Sequence, residues 1–334
     1  MRGTMKSLSF CLLSVVLAGG ALPALAAECG PLKVLASLPL TSLGPGGIVT
    51  IPVLIGDSQR QLLVDTGAFA SILTKRTVRE LNLPTTITGD RGAIQNVAGA
   101  VSSQMAKLPS IAIGNLRQDN VFFFVEPGED NPNDSSPAPF DGILGAEMLQ
   151  KLDADFDFKA NKLNLISQDH CPGKVTYWSA PALAVIPFSL DRSGRITFRL
   201  DLDGKRIVGM LDTGATTTTL NLNIARQRFG VDTNAPDVEK LGELKGAYTS
   251  NVYRRRFKSL AFEGVSVTDP VINLLPDFLD QGAQAPRIGS LMRPDPNLSL
   301  ILGMSVLSKL HVYIAYGERK LYITAADPPG ASPP

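Results

Sequence analysis

The chain has 334 residues, of which 44% are hydrophobic, and its 32 Lys and Arg residues nearly balance its 31 Asp and Glu residues. A formal net charge of +1 excludes recruitment by bulk charge to nucleic acid or to an anionic membrane. The length is sufficient for two domains of ordinary size.

The N-terminal segment has the layout of a secretory signal peptide. Arg2 and Lys6 precede the apolar run LSFCLLSVVLAGG, and the sequence ALA that ends at Ala26 supplies the small residues a signal peptidase requires. Apolar character persists to the end of this segment, which would also fit a retained membrane anchor. We predict a signal peptide over residues 1–26 and a periplasmic or secreted mature protein without stable membrane insertion.

Two cysteines remain once the signal peptide is removed. Cys29 and Cys171 would reside in an oxidising compartment, where two cysteines more often pair than not. A bridge would close a loop of about 140 residues and attach the mature N-terminus to a linker-like segment. Two free thiols are the alternative.

Most of the remaining chain consists of one unit that occurs twice. The segment GGIVTIPVLIGDSQRQLLVDTGA, which ends at Ala68, aligns without a gap with SGRITFRLDLDGKRIVGMLDTGA, which ends at Ala215. In each copy, apolar and polar residues alternate, a turn interrupts them, and the alternation resumes. This pattern predicts a β-hairpin whose second strand ends in Asp-Thr-Gly.

A second match lies near the end of each unit. ILGAEMLQKL aligns with ILGMSVLSKL, and in both copies a short amphipathic stretch is followed by an alternating strand. We predict an all-β fold of two homologous β-barrel lobes, each with one short helix, around a central cleft. A polar, Pro-rich insertion over 127–139 is predicted to be a surface loop. The predicted divisions are an N-terminal lobe (30–167), a linker (168–185), a C-terminal lobe (186–325) and a disordered tail (326–334).

The two units carry identical acidic motifs at corresponding positions. Asp65 and Asp212 each end a predicted strand and begin the sequence Asp-Thr-Gly-Ala. Homologous domains normally pack about a pseudo-twofold axis, so that equivalent elements near the axis meet. Two carboxylates a few ångströms apart cannot both ionise cheaply, and therefore share one proton. The ionised partner can activate a water to attack a peptide carbonyl, and the protonated partner can stabilise the resulting oxyanion.

The residues after each acid suit this arrangement. Thr66 and Thr213 offer hydroxyl groups that can hydrogen-bond across the interface, and Gly67 and Gly214 permit close approach and backbone donors towards the carboxylates. A single Asp-Thr-Gly would indicate only a turn chosen for local geometry. The matched pair favours a catalytic dyad instead.

These motifs resemble those of a known family. LLVDTGA and GMLDTGA are similar to the catalytic motif of the aspartic proteases, and of their retropepsin-like group in particular. DGILG and LSLILG are similar to the family's hydrophobic-hydrophobic-Gly motif, and the resemblance covers nearly all of residues 45–325. It implies Asp65 and Asp212 as the dyad, with Thr66 and Thr213 as a clamp between the lobes.

The resemblance also implies flaps that close over the substrate. They would be hairpins near Gly99 and Gly246, and the further candidates for substrate contact are Ala100, Ala247 and Tyr248.

Two features near the acids distinguish this chain from other members. Ala68 and Ala215 stand where pepsin-type members usually have Ser or Thr, and in this they resemble the retroviral form. Loss of a hydroxyl donor should raise the pKa of a carboxylate, so we expect activity at mildly acidic to near-neutral pH. Phe69 stands where the second copy has Thr216, so the first turn lacks a polar residue.

Other chemistries find little support in the sequence. His170 and His311 are the only histidines, and the repeat does not place either one in a catalytic triad. DADFDFKAN, over 153–161, has acids at alternate positions, which we interpret as the solvated face of a strand rather than a calcium site. We predict no metal and no cofactor.

Two alternatives to a single-chain protease remain. The fold could serve an extracytoplasmic peptide-binding protein without catalysis, although the presence of both acids argues against this. Each lobe could pair with a lobe of another chain, although the short linker favours pairing within the chain. We predict a monomeric aspartic endopeptidase that acts on a peptide or protein held as an added strand in the cleft, with no nucleic-acid partner.

Overall fold

The computed structural model describes most of both lobes. The predicted signal peptide, almost the whole predicted tail, part of the 127–139 insertion and four of the five predicted flap residues lie outside the described residues. The described residues are 29–44, 47–89, 92–95, 100–129, 138–180, 182–244, 250–276 and 298–326.

The first lobe is built almost entirely of strands. Its elements in chain order are β1 (Val34–Pro39), β2 (Thr41–Leu43), β3 (Ile48–Ile55), β4 (Ser58–Val64), β5 (Ile72–Leu73), α1 (Lys75–Glu80), β6 (Thr85–Ile87), β7 (Ile94–Gln95), β8 (Val101–Ser102), β9 (Gln104–Ile113), β10 (Leu116–Val125), β11 (Gly142–Leu144), α2 (Ala146–Leu149), β12 (Asp153–Asp157) and β13 (Lys162–Ile166).

The second lobe has a similar succession, with one strand fewer before its first helix among the described residues. Its elements are β14 (Ala184–Leu190), β15 (Ile196–Leu202), β16 (Lys205–Leu211), β17 (Thr219–Asn221), α3 (Leu222–Phe229), β18 (Val238–Leu244), β19 (Ser250–Arg256), β20 (Ser259–Phe262), β21 (Val265–Thr268), β22 (Val271–Leu275), β23 (Leu298–Leu302), α4 (Met304–Leu307), β24 (Leu310–Ala315) and β25 (Lys320–Ala325).

The predicted hairpins are present in both lobes. β3 pairs antiparallel with β4, and β15 pairs antiparallel with β16. The alternation of apolar side chains fills the core, since Val53 and Ile55 are buried, as are their counterparts Leu200 and Leu202. The prediction of an all-β fold with two homologous lobes is confirmed.

Each hairpin is extended by the strand that carries the ILG motif. β11 lies parallel to β4, β23 lies parallel to β16, and each also pairs antiparallel with the short strand that follows the Asp-Thr-Gly turn. The second strand of each hairpin is therefore held between its hairpin partner and an ILG strand, which fixes the position of the acid at its end.

The number of helices differs from the prediction. The described residues form two helices per lobe where one was expected, because α1 and α3 follow the Asp-Thr-Gly segments. The Thr74 side chain caps α1 by accepting from the Thr77 N–H, and Asn221 caps α3 in the same manner. Gly230 then ends α3 in a left-handed conformation, with φ of 64°. Among the described residues, no helix is both long enough and apolar enough to cross a bilayer.

The lobes are joined by a continuous sheet. Six successive strands, in the order β1-β13-β12-β24-β25-β14, cross from one lobe to the other, and β12 and β24 form the antiparallel pair at the junction. The lobes of one chain therefore pair with each other through backbone hydrogen bonds.

The interpretation of the alternating acids as a solvated face is wrong. Asp153 and Asp155 lie on β12 within this sheet and are completely buried. Asp153 accepts a hydrogen bond from His170 at 2.7 Å, and Asp155 one from His311 at 2.6 Å. Buried carboxylates require such partners, and these partners come from the linker and the other lobe, where the local alternation gives no sign of them.

The predicted disulfide between Cys29 and Cys171 is present, and it joins the start of the described chain to the linker. Since the bridge closes a loop between positions 142 apart, its loss should lower the free energy of unfolding by at most about 5 kcal/mol. We expect the double variant Cys29→Ser/Cys171→Ser to show this loss in guanidinium unfolding. Reduction of the disulfide should lower the free energy of unfolding of the wild type by the same amount and leave that of the variant unchanged. An identical midpoint for reduced and oxidised wild type would contradict the prediction.

Candidate active site

The two predicted acids occupy equivalent positions at the ends of central strands. Asp65 follows β4, and its N–H donates to the carbonyl oxygen of Leu144 on β11 at 3.0 Å. Asp212 follows β16, and its N–H donates to Leu302 on β23 at 3.1 Å. The ILG strands thus set the point at which each chain leaves its sheet.

Each carboxylate is oriented by the turn that follows it. The N–H groups of Gly67 and Ala68 donate to one Asp65 carboxylate oxygen, Oδ1, both at 2.8 Å. Gly214 and Ala215 donate to Oδ1 of Asp212 at 2.9 and 3.1 Å. In the part of the chain that the structure describes, these four N–H donors orient the carboxylates and no side-chain hydroxyl donates to them.

The two carboxyl groups face each other across the interface between the lobes. The Asp65 and Asp212 carboxyl groups lie close enough for each to influence the pKa of the other. The Cα of Gly67 lies against the carboxyl of Asp212, and the Cα of Gly214 lies against that of Asp65. A Cβ at either glycine would overlap the opposite carboxyl group, so only glycine permits this approach.

The threonines lock the two turns together. The Thr66 hydroxyl accepts from the Thr213 N–H at 3.1 Å and donates to the Leu211 carbonyl at 2.9 Å. In return, the Thr213 hydroxyl accepts from the Thr66 N–H at 3.1 Å and donates to the Val64 carbonyl at 2.7 Å. Both side chains are buried. Four hydrogen bonds between the lobes therefore hold the acids at a fixed separation.

The surroundings of the pair favour a shared proton. Burial raises the pKa of the Asp65 carboxyl. Burial also raises the pKa of Asp212, and the adjacent charge of Asp65 raises it further. One proton is therefore retained by the pair over a range of pH in which an isolated aspartate would be ionised.

A second layer of contacts, absent from the sequence-based prediction, supports both turns. In the first lobe, the Ser71 N–H donates to Glu147 at 2.8 Å, and the Ser71 hydroxyl accepts from Gly145 at 3.0 Å. Burial raises the pKa of Glu147. In the second lobe, Thr218 and Ser305 form the equivalent contacts. The repeat aligns Ser71 with Thr218, and this paired hydroxyl was a signal the sequence offered.

The remaining predicted site residues cannot be placed in the cleft. Gly99, Gly246, Ala247 and Tyr248 lie outside the described residues. Ala100 is described, is partly exposed and directly precedes β8.

The histidines contact the sheet that joins the lobes, His311 from β24 and His170 from the linker, and are separate from the paired acids. Both are buried or nearly so against Asp153 and Asp155. Within the described part of the chain, no group of three His, Cys, Asp or Glu residues could hold a metal ion.

Comparison with known proteins gives two matches to family models in tandem. A model described as a gag-polyprotein putative aspartyl protease matches residues 51–151, and a model described as an aspartyl protease matches residues 198–306. The chain is also similar to the crystal structure of an aspartic proteinase from Irpex lacteus, at 14% sequence identity and a TM-score of 0.49. That similarity covers 89% of this chain and 98% of the other. No curated protein sequence matches the chain.

Proposed function

Since the chain belongs to the retropepsin-like aspartic protease family, we propose that it is an endopeptidase whose water nucleophile is activated between Asp65 and Asp212. The observation that carries the proposal is the reciprocal packing of the two carboxyl groups, each against the glycine of the opposite turn. This packing leaves two acids in contact that share one proton, which is the requirement for simultaneous acid and base catalysis.

The reaction follows from the shared proton. The ionised carboxylate takes a proton from a water held between the acids, and the water oxygen attacks the peptide carbonyl carbon. The protonated carboxyl donates its hydrogen bond to the carbonyl oxygen as negative charge develops there. The tetrahedral species then collapses, the C–N bond breaks, and a carboxyl proton passes to the leaving nitrogen. The backbone donors at Gly67, Ala68, Gly214 and Ala215 keep both carboxyl groups oriented throughout.

The proposed substrate is an extended stretch of peptide. A cleft between two β lobes can hold such a peptide as an added strand, with backbone hydrogen bonds for affinity and pockets for alternate side chains. We also propose an extracytoplasmic location, supported by the Cys29–Cys171 disulfide, because such bridges persist in oxidising compartments.

Cleavage of an unfolded protein by the purified mature chain between pH 3 and pH 7 tests the proposal. Products should appear by mass spectrometry, and a peptide analogue with a hydroxyl-bearing tetrahedral carbon in place of the scissile carbonyl should inhibit their formation. A folded chain that binds peptide without producing any cleavage would instead indicate a binding protein.

The pH profile should depend on the missing hydroxyl groups beside the acids. Ala68 donates only its N–H to Asp65, so a hydroxyl introduced by Ala68→Ser should stabilise the ionised carboxylate and lower the pKa of the pair. We expect the acidic limb of kcat/KM to move to lower pH, with the wild type active to near-neutral pH. Ala160→Ser, in an exposed turn, is the matched control. A wild-type profile peaking below about pH 3 would contradict this reasoning.

A further inference from the structure

A cavity of about 370 Å³ lies between the lobes beside the first Asp-Thr-Gly turn. The first lobe contributes Phe69 and Gln150 to its lining, and the second lobe contributes the segment Leu190–Gly194 between β14 and β15. The cavity therefore exists only where the two lobes meet, as the proposed cleft does.

The cavity is close to the proposed reacting centre. Phe69 directly follows Ala68, whose N–H donates to the Asp65 carboxylate. Consecutive Cα atoms are about 3.8 Å apart, and an extended peptide advances about 3.3 Å per residue. The cavity therefore adjoins the turn that orients the Asp65 carboxylate.

The charged residues of the cavity differ in their partners. The Asp191 carboxylate accepts from the N–H groups of Ser193 and Arg195, at 2.8 and 3.0 Å. It also forms an ion pair with the Arg195 guanidinium at 2.7 Å. Arg192 is exposed, and in the described residues it has neither an ion pair nor a hydrogen-bond partner. The lining therefore combines a neutralised acid, an aromatic ring and one uncompensated positive charge.

An aromatic residue follows the Asp-Thr-Gly-Ala motif in the first lobe but not in the second. The residue equivalent to Phe69 in the second lobe is Thr216, which is exposed and polar. The two turns are otherwise matched in sequence from the acid to the alanine. The two ends of the cleft thus differ in chemistry at a position next to the proposed catalytic groups.

Building on the proposed peptidase function, we propose that Phe69 and Arg192 form a subsite that selects an acidic side chain, glutamate above all, in an extended substrate. The methylene groups of glutamate pack against the Phe69 ring, and its carboxylate pairs with the Arg192 guanidinium. Lysine at the same position is rejected because its charge meets that of Arg192.

The experiment compares peptides that differ at one position. A cleaved parent peptide is synthesised with Glu, Gln or Lys at each of the three positions on either side of the scissile bond, and kcat/KM is measured for each. At one position we expect Glu to be preferred over Gln by about two- to fivefold, with Lys lowest, and the preference should weaken with added salt. Arg192→Glu should reverse the order of preference, and Phe69→Thr should reduce the preference for Glu. Arg199→Glu, an exposed arginine on β15, should leave it unchanged.

A binding measurement separates this inference from the proposed activity. The same peptides, fluorescently labelled, are titrated against protein carrying Asp65→Asn, and Kd is read by anisotropy without any need for cleavage. A Glu preference in Kd that Arg192→Glu reverses supports the subsite even if no peptide is cut. Equal Kd and equal kcat/KM for Glu, Gln and Lys at every position would overturn it. Failure to cleave any peptide would count against the proposed activity alone.

Discussion

Asp65→Asn and Asp212→Asn are each expected to reduce peptide hydrolysis by a factor of about 10³ or more while leaving the fold intact. Either substitution removes a proton-carrying group from the pair. The Asn oxygen can still accept from the turn N–H groups that now bind the carboxylate. Initial rates on the unfolded-protein substrate, beside circular dichroism of each variant, measure the two effects separately. Asp169→Asn, at an exposed position in the linker, is the control.

The same variants should be more stable than the wild type at higher pH. Burial raises the pKa of Asp212 in the folded chain, so the folded state binds more protons than the unfolded state above about pH 4. Wild-type stability therefore falls as pH rises from the unfolded pKa through the raised folded pKa. Asp212→Asn removes this dependence, so we expect a Tm several degrees above that of the wild type near pH 7 and equal values near pH 3.

Three outcomes bear on the mechanism. Two inactive, folded and stabilised variants support a shared-proton pair. Substantial activity in one variant would mean that the second acid is dispensable, and the two-acid mechanism would be wrong. Inactive variants that are destabilised at neutral pH would show that the carboxylates serve the fold, contrary to the direction of their pKa shifts.

The sequence was sufficient to predict those features that repeat along the chain. The hairpins, the acids at strand ends, and the short helix and strand that follow each ILG motif can be predicted from periodicity and from the match between the two units. These are local patterns, so one copy supports the interpretation of the other. The mutual approach of Asp65 and Asp212 required only the additional assumption of pseudo-twofold packing.

What the sequence did not predict depends on partners that are remote along the chain. Asp155 is followed by Phe156 and Asp157, and this alternation is equally compatible with a solvated face and with a buried polar layer. The difference is decided by His311, in the other lobe, and by Tyr177, in the linker. The role of Glu147 was missed for the same reason, since its contact Ser71 is distant in sequence.

Asp155→Ala is expected to destabilise the fold by about 3–5 kcal/mol, because Asp155 links three parts of the molecule. One carboxylate oxygen accepts from His311 on β24, at 2.6 Å. The other accepts from Asn164 on β13, at 2.9 Å, and from the Tyr177 hydroxyl. Removing the carboxylate takes this acceptor from two buried donors, His311 and Asn164, and a buried donor that loses its acceptor is costly.

Guanidinium unfolding measures this loss, and a neighbouring acid provides the control. Asp157 lies on the same strand, is partly exposed and accepts only from the Ala160 N–H among the hydrogen bonds that the described residues make to its side chain. We therefore expect Asp157→Ala to cost no more than about 1 kcal/mol. Comparable losses for the two variants would show that burial of the Asp155 network contributes nothing beyond an ordinary hydrogen bond.

A double-mutant cycle between Asp155→Ala and His311→Ala isolates the contact that joins the lobes. The ring of Trp178 stacks on His311 at 4.1 Å between centroids, so His311→Ala also removes packing, and only the coupling energy reports the hydrogen bond between His311 and Asp155. We expect a coupling of about 1–3 kcal/mol.

Since β12 and β24 pair directly at this point, loss of the contact should loosen the junction on which the spacing of Asp65 and Asp212 depends. In either single variant, activity should then decline at a temperature below that of global unfolding. If the junction does not control the spacing of the acids, activity and fold should be lost at the same temperature.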